Sequence, residues 1–170
     1  MGSRLAPFLI GLLALVPGQA HSQSSRTFDE AKRDLELLMS RGMAIAETAL
    51  VHQPHLRPFA AAMTPAGAIE NITADTLGPL STERVIDFLE NVLRAGSKEG
   101  RYKATAVFAI TRATAPGEGK AHDVIQARLE HRGGYCVDMF LQYVVTADST
   151  TFGTLFAGRR RGTVFPVCKK

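Results

Sequence analysis

The stretch LEHRGGYCVDMFLQYVV, Leu129 to Val145, decides how the second half of the chain folds. It contains a histidine shortly before a cysteine, with two glycines between them, and so admits two readings. One is a Cys–His catalytic pair, the other a β-hairpin. Ile125, Ala127 and Leu129 alternate with Arg128 and Glu130, and Val137, Met139, Leu141 and Tyr143 alternate with Asp138 and Gln142. Side chains of a strand alternate between faces, and a buried face must meet another buried face. Leu129 is therefore expected opposite Val137, Ala127 opposite Met139 and Arg128 opposite Asp138. Arg132-Gly133-Gly134 is left as the loop, with glycine available for a left-handed position. In this register His131 sits opposite Tyr135 and Cys136 opposite Glu130, so His131 and Cys136 point to opposite faces. A slip of one residue would bring them together but would bury Arg128 and Glu130 against the apolar face. The hairpin reading is preferred on that ground.

The strands extend outward from this hairpin. Tyr102 to Ala115 alternates and is rich in Ala, Val, Thr and Phe, and Pro116-Gly117-Glu118-Gly119 turns it into the strand Ala121 to His131. After Val145, Ala147 to Thr150 turns the chain into Thr151 to Gly158. Earlier, Thr64-Pro65-Ala66-Gly67 carries the residues of a tight turn between two short extended runs. Two helices complete the chain. Thr27 and Glu30 have the spacing of a capping box, and Phe28, Ala31, Leu35, Leu38, Ile45 and Ala49 form an apolar stripe interrupted at Gly42. Pro54 ends that helix near His52. Ser81 caps a second helix, Thr82 to Ser97, that buries Val85, Ile86, Leu89, Val92 and Leu93 and ends at Gly96 and Gly100. The expected fold is α+β, in the order α-β-β-α-β-β-β-β. It has an antiparallel sheet of five to six strands with both helices packed on one side. The element order resembles profilin-like and roadblock-like α/β sandwiches.

The N-terminus reads as an export signal. Arg4 precedes a nearly unbroken apolar run from Leu5 to Val16, Pro17 breaks it, and Gly18 and Ala20 are small residues suited to cleavage after Ala20. A transmembrane helix needs about 20 apolar residues, more than this run supplies. The expected organisation is a signal peptide over 1–20, a flexible polar lead-in over 21–26 and one α+β domain over 27–170. The expected location is periplasmic or secreted. The chain carries 20 Lys+Arg against 16 Asp+Glu, a net charge of +4. Arg159-Arg160-Arg161 and Lys169-Lys170 concentrate the excess, which suits an anionic envelope component or an acidic protein. Nucleic-acid binding would call for a denser basic patch with interleaved aromatics.

An exported chain with two cysteines points to a disulfide between Cys136 and Cys168. The bridge ties the tail to the strand after the glycine turn and contributes about 3.7 kcal/mol in the chain-entropy treatment. The tail Val164-Phe165-Pro166-Val167-Cys168 would then cover the face shared by Cys136, Phe140 and Val144.

Other chemistry is weakly represented. His52 and His55 flank Pro54 with no further ligand nearby, which fits a helix-end loop better than a metal pair. No serine sits in a nucleophile elbow, Gly117-Glu118-Gly119-Lys120 lacks a P-loop context, and no cofactor motif is present. Glu83, Asp87 and Glu90 share a helix and read as a solvated face. Asn71-Ile72-Thr73 matches a glycosylation sequon. Glu47 to Ala68, followed later by LEHRGGYCVDMF, resembles small uncharacterised bacterial α+β proteins, in which a helix leads into a Pro-Phe strand and a Gly-containing turn. That resemblance implies a fold and no activity, and the signal peptide and the cysteines depart from its pattern.

Two functions remain. One is a non-enzymatic binding protein, an inhibitor or immunity-type partner, with Arg132, Gly133, Gly134, Pro116 to Lys120, Arg159, Arg160 and Arg161 as contacts. A small-ligand sensor is a variant of it. The rival is a cysteine-dependent enzyme with Cys136 or Cys168 as nucleophile beside His131 or His122, which requires free thiols.

Overall fold

A computed structural model describes residues 20–52, 55–146 and 149–168, with 20–26 as backbone alone. The export signal falls almost wholly on 1–19. It lies outside the described residues, as do Pro54, Ala147 and Asp148 of the expected Ala147 to Thr150 turn, and Lys169-Lys170.

Six strands form one antiparallel sheet: β1 (Phe59–Met63), β2 (Ile69–Ile72), β3 (Ala104–Ala113), β4 (His122–His131), β5 (Cys136–Val145) and β6 (Thr150–Arg159). Their order across the sheet is β2-β1-β3-β4-β5-β6. Helix α1 (Ala20–His52) precedes β1, and α2 (Thr82–Lys98) joins β2 to β3. The order α-β-β-α-β-β-β-β and the α+β class are as expected.

The side on which the helices pack differs from the expectation. Leu35, Leu38, Ala46 and Leu50 of α1 pack on Ala61, Met63, Ala104, Ala106, Phe108, Ile125, Ala127 and Leu129. Val85, Ile86, Leu89 and Leu93 of α2 pack on Ala60, Ala62, Val107 and Ala109. The two strand sets are of opposite parity, so α1 and α2 lie on opposite faces. The physical reason is in β1 and the first part of β3, whose residues FAAAM and ATAVFA are buried without alternation. Strands buried on both faces read as continuous apolar runs and need a cover on each side.

Local details refine the helices. Helix α1 already runs at Ala20, so Thr27 is not its first residue. Its buried stripe passes through Ala31, Leu35, Leu38, Ala46 and Leu50, while Phe28 is half-exposed. Gly42 is a packing position on that stripe: a β-carbon there would lie 2.0 Å from Phe108 Cζ. The Phe108 ring stacks on Phe59 with centroids 4.9 Å apart. Ser81 caps α2, its side chain accepting from the Arg84 amide. Gly96 lies inside α2 against the Tyr102 ring, and Gly100, at φ 75°, follows the helix end.

The decisive hairpin has the expected register. Leu129 pairs with Val137, Ala127 with Met139, Arg128 with Asp138 and Glu130 with Cys136. The His131 amide donates to the Tyr135 carbonyl, closing the loop Arg132-Gly133-Gly134, and Gly134 takes φ 88°.

Candidate functional site

Cys136 and Cys168 form a disulfide, with their Cα atoms 5.7 Å apart. It fixes the tail, Gly162 to Cys168, as a strap across the α2 face of β4 and β5. Val164 and Phe165 are buried there with the α2 cluster. Under the strap Glu130 is 2% exposed. Its carboxylate accepts from the amides of Thr163, Val164 and Phe165, at 2.9, 2.8 and 2.9 Å, and from the Thr163 hydroxyl at 2.9 Å. Charge-assisted bonds of this kind are the strong ones.

Arg160 completes the cluster. Its guanidinium lies 3.1 Å from Glu130, 3.1 Å from Asp138 and 3.6 Å from Glu90. Arg128 pairs with Glu90 at 3.0 Å rather than with Asp138, although the two residues are strand partners as expected. Burial pushes the Asp138 carboxyl above its ordinary value, against the opposing pull of Arg160. Glu90 is buried in this network and is not on a solvated face with Glu83 and Asp87. These residues hold the strap in place.

His131 lies on the other face. Its Nδ1 accepts from the Gly133 amide at 2.9 Å, and its Nε2 stands 3.2 Å from Asp34 Oδ2. The bond at Nδ1 fixes the tautomer, so Nε2 carries the proton and donates to Asp34. Lys103, itself buried, reaches the same carboxylate at 2.8 Å. Burial holds the His131 pKa below its ordinary value, outweighing Asp34, with Lys103 and Arg132 adding to the depression. Both ring nitrogens are engaged within the protein, which leaves none to take a proton from a substrate. Cys136 and His131 do not form a Cys–His pair in this fold. Both thiols are consumed in the disulfide, and His131 and Cys136 occupy opposite faces. His122 stands at the far end of β4, beside Glu118 at 3.6 Å.

The expected contact residues divide into two groups. Val137 pairs with Arg159, so the Arg132-Gly133-Gly134 loop and the Arg159–Arg161 segment lie at the same end of the sheet. Pro116 to Lys120 joins β3 to β4 at the opposite end. Within the arginine run, Arg160 is turned inward, 9% exposed at its side chain. Arg132, Arg159 and Arg161 are exposed, and among the described residues they make no side-chain ion pair.

Beside this basic end a groove of about 410 Å³ opens between α1 and the sheet. Leu35 and Met39 form one wall, and Leu129, Val137, Met139 and Leu155 the floor. No regularity of the sequence announced it, because its walls come from α1, β4, β5 and β6. Among the described residues, no group of three or more histidine, cysteine or acidic side chains is placed to hold a metal ion, and no helix is long and apolar enough to cross a membrane.

Taken together these features define a class: a two-sided α+β sandwich closed by a disulfide-bonded C-terminal strap, with one basic end. Comparison with protein families, with curated proteins and with solved structures finds no match to this chain.

Proposed function

We propose that the chain is an exported, non-enzymatic binding protein of the periplasm or extracellular space. Its contact surface is the sheet end formed by Arg132, Gly133, Gly134, Arg159 and Arg161. The observation that carries this reading is the convergence of the glycine loop with Arg132, Arg159 and Arg161, three exposed arginines without an ion pair among the described residues, at one end of the sheet. Hairpin loops on a stiff scaffold suit recognition of another protein, and unpaired guanidiniums suit a partner with exposed carboxylates or phosphates. An inhibitor or immunity-type role, with an acidic protein as partner, fits this surface. The disulfide is compatible with an oxidising compartment, and the sequence of 1–20 supports export.

Affinity capture from envelope extract tests the proposal, using mature protein and the double variant R132E/R161E. Retention of a defined protein or anionic polymer by the unmodified chain, lost in the variant, is the expected result. Equal retention by both, or none by either, would overturn it.

A further inference from the structure

We infer that the groove between α1 and β4–β6 binds a single-chain fatty-acid anion, tail along the groove and carboxylate at the basic end. The inference rests on reading that sheet end as a binding surface, and it adds a small ligand to it. Three observations point there.

The first is the lining. Leu35, Met39, Leu129, Val137, Met139 and Leu155 present an apolar trough, and Leu155 on its floor is 52% exposed. Apolar surface left open beside a cavity marks a binding site for an apolar group. The two methionines give the trough adaptable walls, suited to a flexible chain.

The second is size. At about 410 Å³ the groove falls near the lower end of the range for small-molecule sites, roughly 300–1,000 Å³. That suits one acyl chain and is small for a two-tailed lipid.

The third is charge. Arg159 is the strand partner of the groove residue Val137 and therefore shares its face, and among the described residues its side chain makes no ion pair. Lys32 stands on the helix wall at the same end, near Tyr135. The acidic group on that wall, Glu36, lies 3.9 Å from Lys32. Lys32 and Glu36 offset each other on the helix wall, so the uncompensated charge at this end is that of Arg159, and a carboxylate head beside it gains an ion pair that a cationic head does not.

Calorimetric titration of the mature protein with laurate and with dodecyltrimethylammonium, equal in chain length and opposite in charge, tests the inference. Saturable binding of laurate at one per chain is expected, with the cationic amphiphile weaker by about tenfold or more. Leu155→Glu, at an exposed position that leaves the core intact, should abolish laurate binding. Arg159→Glu should weaken it by about tenfold. Equal affinity for the two amphiphiles, indifference to Leu155→Glu, or no saturable binding would overturn the inference. So would sedimentation showing that a second copy of the chain fills the groove. The variants separate the two proposals: Leu155→Glu leaves the Arg132 and Arg161 surface untouched, whereas R132E/R161E leaves the trough intact.

Discussion

At the scale of single residues, His131 is held neutral by its surroundings. The Gly133 amide occupies Nδ1, and a proton added there would oppose another N–H. Its folded pKa lies below the ordinary 6.5 because burial disfavours the charged ring. The unfolded chain therefore takes up the proton first as pH falls. His131 contributes its full stabilisation above 6.5 and loses it as pH drops from 6.5 toward the depressed folded value. Urea midpoints measured between about pH 7.5 and pH 5 should fall with decreasing pH, and His131→Asn should flatten that slope. An unchanged slope in the variant would assign the titration to another group. Gly42 gives a second prediction. Alanine there gains helix propensity of about 1 kcal/mol but drives a methyl into the Phe108 ring, at a cost of about 1–3 kcal/mol or more. Gly42→Ala is expected to lower stability in a denaturant titration. The sequence marks Gly42 only as a break in a stripe, because the ring that needs the space is contributed by a strand far along the chain.

Among the elements, the hairpin β4–β5 was readable in advance, since parity, two glycines and the cost of burying Arg128 and Glu130 leave one register. The placement of the helices was open to a mistake. Both helices show one apolar stripe each, and such stripes do not say which face of a sheet they cover. The informative signal lay in the strands: FAAAM and ATAVFA do not alternate, as strands covered on both faces do not. The tail as a cover for Cys136 was also readable, but it does not reach Val144, which stays 61% exposed, and its anchorage on Glu130 was not readable. Glu130, Glu90, Asp138 and Arg160 come from separate elements, and only the folded sheet brings them together. Glu130→Ala should cost about 3–5 kcal/mol, as removal of one partner from a buried ion pair does. It should also speed hydrogen exchange at the Thr163, Val164 and Phe165 amides. Exchange that remains slow in the variant would show that the disulfide alone seats the strap. The C136S/C168S double variant should lose up to about 3.7 kcal/mol of stability, read from urea midpoints.

For the whole molecule, asymmetry is the feature that bears on function. The sheet is covered by a helix on each face, fastened at one corner by the strap, and carries at the strap end three arginines that make no ion pair among the described residues. Among the described residues the thiols are joined, both ring nitrogens of His131 are engaged, and the buried carboxylates are occupied, Glu130 by backbone amides, Glu90 by Arg128 and Arg160, and Asp34 by Lys103 and His131. The basic end was half visible in the sequence. The arginine run is plain, but its middle member turns inward, and the loop that joins the other two in space is separated from them by a full hairpin. The central claim is a sandwich strapped by the Cys136–Cys168 disulfide, joined to the proposal that the chain is exported. It is tested most directly by the intact mass of exported protein, alkylated under denaturing conditions before and after reduction. The account predicts a chain beginning at His21 whose cysteines take up alkylating agent only after reduction. Correctly exported protein with free thiols would contradict it.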